Sequence, residues 1–143
     1  MPRTHMVRIA STGAGVTADT QRILLLDPDA EAADIIASQL CHAGFETHIT
    51  TSAPSALLAT RTEDFGAIVV VANLTNTKCC SDLREIRLSA PRSWLVIIAD
   101  PLISRAEDSL RKLDGDALFT VPFTVAELTQ RLSTLSNRRR PMP

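Results

Sequence analysis

Short apolar runs alternate with segments of helical periodicity along most of the chain. The runs that predict strands are residues 23–26, 46–50, 67–71, 95–98 and 117–120. Two stretches, 68–71 and 95–98, are apolar at every position, which is typical of central parallel strands that helices cover on both faces. The pattern therefore predicts five strands that alternate with five helices.

Capping residues mark where the predicted helices begin. Each helical segment follows a residue type that caps helices, namely Asp29, Ser52, Ser81, Ser104 and Thr124. Gly44 stands where a left-handed residue would end the first helix, and Ser104 and Thr124 each have the spacing of a capping box. With right-handed crossovers, these elements predict a three-layer, doubly wound α/β fold of flavodoxin-like type around a five-stranded parallel sheet.

Composition and charge divide the 143 residues into one domain and two ends. Residues 1–20 are polar with little periodicity and are interpreted as a flexible leader, residues 21–136 as the domain, and residues 137–143 as a basic tail. The stretch 23–130 carries about seven more acidic than basic residues, whereas the ends together carry about six more basic than acidic ones. The domain is thus acidic and its ends are basic.

Several classes of function find no support in the composition. Aromatic residues make up only 3% of the chain, which argues against stacking on single-stranded nucleic acid. No apolar segment is long enough to cross a membrane or to act as a secretion signal, so a cytoplasmic protein is expected. The cysteines lack metal-site spacing and no catalytic set can be assembled, so no metal, cofactor or enzymatic activity is expected. Contact with nucleic acid is suggested only for the tail, by Arg138, Arg139 and Arg140.

Three segments around the predicted strand ends resemble a known family. They are ILLLDPD at 23–29, FGAIVVVANLT at 65–75 and GDALFTVPFTVAELTQRL at 115–132. In this order and spacing they are similar to the receiver (CheY-like) domain of two-component response regulators, over about residues 22–135. The resemblance implies the flavodoxin-like fold and a role in phosphorelay signal transduction.

The resemblance also assigns positions to the phosphorylation chemistry. In a working receiver, an Asp at the end of the third strand accepts the phosphoryl group, and two acidic residues after the first strand help to hold Mg²⁺. A Ser or Thr after the fourth strand and a Lys-Pro pair after the fifth complete the site. The matching positions here hold Asp27 and Pro28 (the acidic pair), Val71 (the acceptor), Ala99 (the Ser or Thr), and Val121 and Pro122.

These replacements imply a degenerate receiver site. Val71 offers no nucleophile, so aspartyl phosphorylation at the usual position is excluded. We expect Val71, Ala99 and Val121 to form an apolar lining that raises the pKa of Asp27 unless backbone amides reach it. A displaced acidic site remains an alternative, formed by Asp27, Asp29 and Asp100.

The leading functional hypothesis is a pseudo-receiver, a protein-interaction module of signal transduction that works without phosphoryl transfer. By the resemblance, its partners are signalling proteins or a second copy of the chain, bound at the face of the fourth helix, fifth strand and fifth helix. The candidate contact residues on that face are Arg105, Asp108, Arg111, Lys112, Asp116 and Glu127. Two alternatives are a sensor gated by a small molecule in the altered pocket and a phosphorelay receiver that uses the displaced acidic site.

Overall fold

The fold follows from a computed structural model that describes the backbone of residues 5–7 and the chain from 21–101 and 103–136. Its elements are β1 (His5–Val7), β2 (Arg22–Leu26), α1 (Ala30–His42), β3 (Glu46–Thr50), α2 (Ala53–Thr62), β4 (Ala67–Ala72), α3 (Thr77–Ser89), β5 (Trp94–Ala99), α4 (Ala106–Lys112), β6 (Ala117–Thr120) and α5 (Val125–Ser136). None of the helices in this part of the chain is long and apolar enough to cross a membrane.

The strands form one sheet in the order β1-β3-β2-β4-β5-β6. The five strands from β2 to β6 pair in parallel and confirm the predicted doubly wound α/β fold. The central strands β4 and β5 are almost wholly buried, as their continuous apolar sequences indicate.

Helices cover the sheet on both sides, which produces two apolar cores. On one side, called here the α1/α5 side, the core contains Leu25, Val69 and Ile98 of the strands together with residues of α1 and α5. On the other, called the α2/α3/α4 side, the core contains Leu26 and Val70 with residues of α2, α3 and α4. Successive residues of a strand therefore point to opposite sides, as the pleat of a strand requires.

Most of the predicted helix boundaries are confirmed. The Asp29 carboxylate accepts from the backbone amides of Glu31 and Ala32, Ser52 caps α2, and Gly44 has a φ of 99°. The Thr124 hydroxyl accepts from the amide of Glu127 at 3.1 Å, which is one half of the expected capping box.

Two predicted helix starts are wrong. Helix α3 begins at Thr77, where the Asn76 side chain accepts from the amide of Cys79, so Ser81 lies inside the helix rather than at its start. Helix α4 begins after Arg105, which makes no side-chain capping bond, so Ser104 does not cap it. Asn is among the strongest N-cap residues, and because Asn76 precedes Ser81 in the chain, it starts α3 about one turn earlier.

The segment interpreted as a leader contributes a sixth strand. Residues His5–Val7 pair antiparallel with β3, with Met6 opposite His48. Without β1, strand β3 would be an edge of the sheet with unpaired backbone groups, and β1 pairs with three of its five residues. The rest of the leader and the basic tail with Arg138, Arg139 and Arg140 lie outside the described residues.

Candidate functional site

The candidate site lies where the parallel strands β2, β4, β5 and β6 end. Leu26 of β2 pairs with Val70 of β4, so Asp27 and Val71 are the next residues on neighbouring strands. Leu25 and Val69 point to the α1/α5 side, and Val71 packs against that core. By the same alternation Asp27 points to that side as well. The residue matched to the acceptor and the residue matched to the first acidic position thus lie side by side.

The register places one residue of the expected apolar lining on the other side of the sheet. Ala99 pairs with Ala72 and belongs to the core on the α2/α3/α4 side, so it points away from Val71. The residue that pairs with Val71 and shares its side is Ile98, which is fully buried. Val71 therefore lies next to a large aliphatic side chain. The lining is apolar as expected, and it is more apolar than it would be with an alanine at this place.

The Val121–Pro122 segment follows β6 at the same end of the sheet. The bond between the two residues is cis, and Val121 packs against the core on the α1/α5 side. Val71, Ile98 and Val121 thus share one side of the sheet, and none of them carries a hydroxyl or an amine. This lining has no group that could grip a phosphoryl oxygen.

Asp27 is buried beside this lining, with only 4% of its surface exposed. Desolvation by burial raises the pKa of its carboxyl group, which confirms the expected direction. The amide of Asp29 donates to Asp27 Oδ1 at 3.0 Å and opposes part of that rise, whereas the nearby charges of Asp29 and Asp100 add to it. Ionisation of Asp27 is therefore less favourable than ionisation of an exposed aspartate.

Asp27→Asn should have a higher free energy of unfolding than the wild type, and this difference should grow as pH rises. The pKa of Asp27 is higher in the folded protein than its ordinary value of 3.8. The protonated carboxyl group therefore contributes fully to stability below pH 3.8, and this contribution is lost as pH rises through the pKa of the folded state. The introduced asparagine keeps an oxygen for the Asp29 amide but cannot ionise. Urea denaturation across acidic to neutral pH measures the difference, with Asp64→Asn as the control for an exposed carboxylate at the opposite end of the sheet. A difference that falls with rising pH would contradict the expectation.

The three carboxylates of the proposed displaced site are unequally placed. Asp27 is buried, whereas Asp29 and Asp100 are exposed and act on its pKa as nearby charges. The Asp29 carboxylate is engaged at the start of α1, where it accepts from two backbone amides. No group of three or more His, Cys, Asp or Glu side chains able to hold a metal ion occurs in the described part of the chain. The arrangement is that of a helix cap beside a buried acid.

Five of the six charged residues predicted for the interaction face remain on or near the surface, and one does not. Arg105, Arg111 and Lys112 are exposed, and Arg111 forms an ion pair with Asp108 one turn earlier in α4. Glu127 is exposed at the start of α5. The sixth residue, Asp116, is instead half-buried and part of the internal structure, which corrects its assignment.

Asp116 is held by a buried arginine that the sequence analysis did not single out. Asp116 Oδ2 accepts from the Leu95 amide at 2.8 Å and lies 3.3 Å from Arg87 Nη1. Arg87 is only 6% exposed and also donates to the carbonyl groups of Ala90 and Ser93. This cluster ties the end of α3 to the starts of β5 and β6, so reversing the charge of Asp116 would perturb the fold rather than test an interface.

Comparison with known proteins agrees with this geometry at the level of fold. No protein-family model matches the sequence, and no curated protein matches it either. Among solved structures, the receiver domain of the Francisella response regulator 1452 matches with a TM-score of 0.73 and 22% identity, over 82% of this chain and 97% of that one.

Two further structures match at similar levels. The receiver domain of sensor histidine kinase PA1611 from Pseudomonas aeruginosa, which has a magnesium ion in its active site cleft, has a TM-score of 0.71 and 19% identity over 82% of this chain and 98% of that one. The adenylate cyclase structure from Rhodopirellula baltica has a TM-score of 0.70 and 20% identity over 80% of this chain and 86% of that one. The chain has the fold of response regulator receiver domains.

Proposed function

We propose that this protein is a signal-transduction module that has the receiver fold and works through protein contacts, without aspartyl phosphorylation. The observation that carries the proposal is Val71, which matches the acceptor position of receivers and lies beside Asp27 at the ends of β4 and β2. A hydrocarbon side chain cannot attack a phosphoryl donor. The burial of Asp27, which raises the pKa of its carboxyl group, adds support because a ligand of Mg²⁺ has to be deprotonated.

The loss of the second acidic position supports the same proposal. Pro28 is exposed after β2 and supplies neither a carboxylate nor a backbone amide hydrogen. Mg²⁺ usually needs one or two carboxylates together with phosphate oxygens. Of the two positions that match the acidic pair, only the first, Asp27, has a carboxylate, and that carboxylate is desolvated.

We expect no phosphoryl adduct when the protein is incubated with acetyl phosphate and Mg²⁺. The intact mass should stay unchanged, and beryllofluoride should leave its elution from a sizing column unaltered, because no nucleophile or metal site receives either reagent. A receiver that accepts phosphoryl groups from acetyl phosphate, treated in parallel, verifies the reagents. A stoichiometric adduct on any aspartate of the chain would contradict the proposal and would favour the displaced acidic site.

The proposed contact surface is the face formed by α4, β6 and α5. Its exposed charges have both signs, with Arg105 and Lys112 against Glu127, and such a surface can pair with itself around a twofold axis. Strand β6 is also the last strand of the sheet, so its outer edge lies between the two helices. We propose that this face binds a second copy of the chain or another signalling protein.

Reversing the charge of Arg111 should weaken self-association by roughly tenfold or more, because like charges would then face each other across the proposed interface. Arg111 is suited to this test because it is exposed and its partner Asp108 lies on the same helix. Light scattering after size-exclusion chromatography should show a dimer for the wild type and a monomer for Arg111→Glu. The control Arg92→Glu, which changes an exposed arginine outside the face, should stay dimeric. A wild-type monomer, or a variant dimer of unchanged strength, would remove self-association through this face from the proposal.

The proposed module acts in the cytoplasm and uses no cofactor. Cys41, Cys79 and Cys80 are free thiols, which supports a reducing compartment. The proposal assigns no catalytic step to the chain, and its output depends on the partner it contacts.

A further inference from the structure

A cavity of about 290 Å³ lies beside the degenerate site, between the starts of α2 and α3. It opens at the ends of β2 and β4, where Pro28 and Val71 form part of its wall. Its volume is at the lower end of the range for small-molecule sites in proteins. At about 30 Å³ for each water-sized unit, it has room for about ten non-hydrogen atoms.

The floor of the cavity is apolar. It is formed by Leu26, Val70, Leu83 and Ile86, which are all buried. Pro28 and Val71 also line the cavity, although the Val71 side chain packs against the core on the opposite side of the sheet. An apolar ligand would therefore displace water from hydrocarbon surface, which is the main source of affinity for small molecules.

The rim supplies hydrogen-bond donors. The Asn76 side-chain oxygen accepts from the amide of Cys79 at 2.9 Å, and the Asn73 side-chain oxygen accepts from Thr75. Both carboxamides thus have their oxygen atoms engaged at the rim, while their NH₂ groups remain donors. A ligand with an oxygen acceptor matches this arrangement better than a ligand with a donor.

The formal charges around the cavity cancel. Lys78 Nζ and Asp82 Oδ1 form an ion pair at 2.8 Å, and both residues line the cavity. Burial raises the pKa of the Cys79 thiol, so it is neutral at physiological pH. A charged ligand would lose its hydration on the apolar floor without gaining a free counter-charge.

We propose that this cavity binds a small, uncharged, mainly apolar molecule that carries a carbonyl oxygen. The apolar body lies on the floor, and the carbonyl oxygen accepts from the carboxamides of Asn73 and Asn76. This site goes beyond the proposed interaction function and does not depend on it. A bound molecule would contact the end of β4 and the start of α3 together, on the side of the sheet opposite the Asp27 and Val71 side chains.

Benzamide tests the proposal because it has nine non-hydrogen atoms, an apolar ring and a carbonyl group. Added to the full chain labelled with ¹⁵N, it should shift the amide signals of Ala53, Lys78 and Cys79 in a saturable way, with a dissociation constant on the order of 1 mM or tighter. Benzoate and benzylamine have the same ring with opposite charges and should bind at least roughly tenfold more weakly. Absent shifts, or shifts centred on another region, would overturn the site. Equal binding of either charged compound would overturn the proposed ligand class.

A variant that fills the cavity tests its location. Cys79→Phe places a ring in the cavity and should abolish the benzamide shifts, whereas Cys80→Ala, which does not change the lining, should retain them. Unchanged binding by Cys79→Phe would overturn the site. If circular dichroism shows that Cys79→Phe is unfolded, the alkylation rate of the wild-type thiols replaces it. Benzamide should then slow the alkylation of Cys79 but not that of Cys80, and equal rates with and without benzamide would overturn the proposal.

Discussion

Replacing Arg87 with alanine should lower the free energy of unfolding by about 3–5 kcal/mol, the usual cost of removing one partner of a buried ion pair. The guanidinium group donates to the carbonyl groups of Ala90 and Ser93 at 2.6 and 2.5 Å and pairs with Asp116. Without it, a half-buried carboxylate and two carbonyl groups lose their partner together. Urea denaturation followed by circular dichroism measures the loss.

A neighbouring arginine provides the matched control. Arg84 lies on the same helix and is exposed, so Arg84→Ala should change stability by no more than about 0.5 kcal/mol. The pair separates the effect of the buried cluster from that of a lost helical arginine. Similar stabilities for the two variants would mean that Arg87 contributes little to the free energy of unfolding. Contacts other than this cluster would then hold the α3–β5 connection to the start of β6.

The sheet could be predicted from sequence because its strands carry their own pattern. All five predicted strands agree with β2 to β6 to within one residue at each end. The apolar runs of β4 and β5 are continuous and shorter than a typical helix, which favours central parallel strands. The strand β1 was missed because three residues carry too little periodicity to be recognised, and its partner β3 provides the reason for it.

The site could be predicted in part. The sequence gives the type of each residue near a strand end, but the side of the sheet to which it points depends on the register of the strands. The positions of Asp27, Val71 and Val121 follow from the order of motifs along the chain, and the structure brings them to one side of the sheet. Ala99 was expected in the same lining, but neighbouring residues of a strand point to opposite faces, and Ala99 belongs to the core on the other face. The pairing of Val71 with Ile98 resolves this, and only the register of the sheet contains that information.

Asp116 shows a different limit of sequence analysis. Its charge and its place before β6 are those of a surface residue, and nothing nearby in sequence indicates otherwise. Its partner Arg87 lies 29 residues earlier, on a helix that reaches it only after the sheet has formed. The same holds for the cavity, whose floor comes from β2, β4 and α3 together. Features that depend on contacts between distant elements need coordinates.

The apolar lining explains why one substitution cannot simply restore a receiver. Val71 is flanked by Asp27 on one strand and Ile98 on the other, so a carboxylate placed there would meet a buried acid and a buried aliphatic side chain. A working site offsets such repulsion with a divalent cation. Here the second acidic position is Pro28, so the cation would have to be held by two carboxylates rather than three.

Val71→Asp should therefore be less stable than Val71→Asn by about 2 kcal/mol at neutral pH, the repulsion of two carboxylates roughly 7 Å apart at an effective dielectric constant of about 20. The two variants have nearly the same shape, so the comparison isolates the charge. The gap should close at acidic pH, where both carboxyl groups are protonated. It should also narrow in millimolar Mg²⁺, because a cation between Asp27 and the introduced carboxylate lowers their repulsion.

Urea denaturation at several pH values, with and without Mg²⁺, measures these differences. Equal stability of Val71→Asp and Val71→Asn at neutral pH would mean that the carboxyl group of Asp27 is already neutral there or lies too far away to interact. The pH dependence distinguishes these two explanations. If Asp27 is neutral at neutral pH, the stability difference between the variants appears only at higher pH, whereas a distant Asp27 produces no difference at any pH. A gap that narrows in Mg²⁺ would indicate that residue 71 still faces Asp27 as the acceptor faces the acidic residues in a working receiver. The loss of the acceptor carboxylate would then be what separates this chain from a metal-binding receiver.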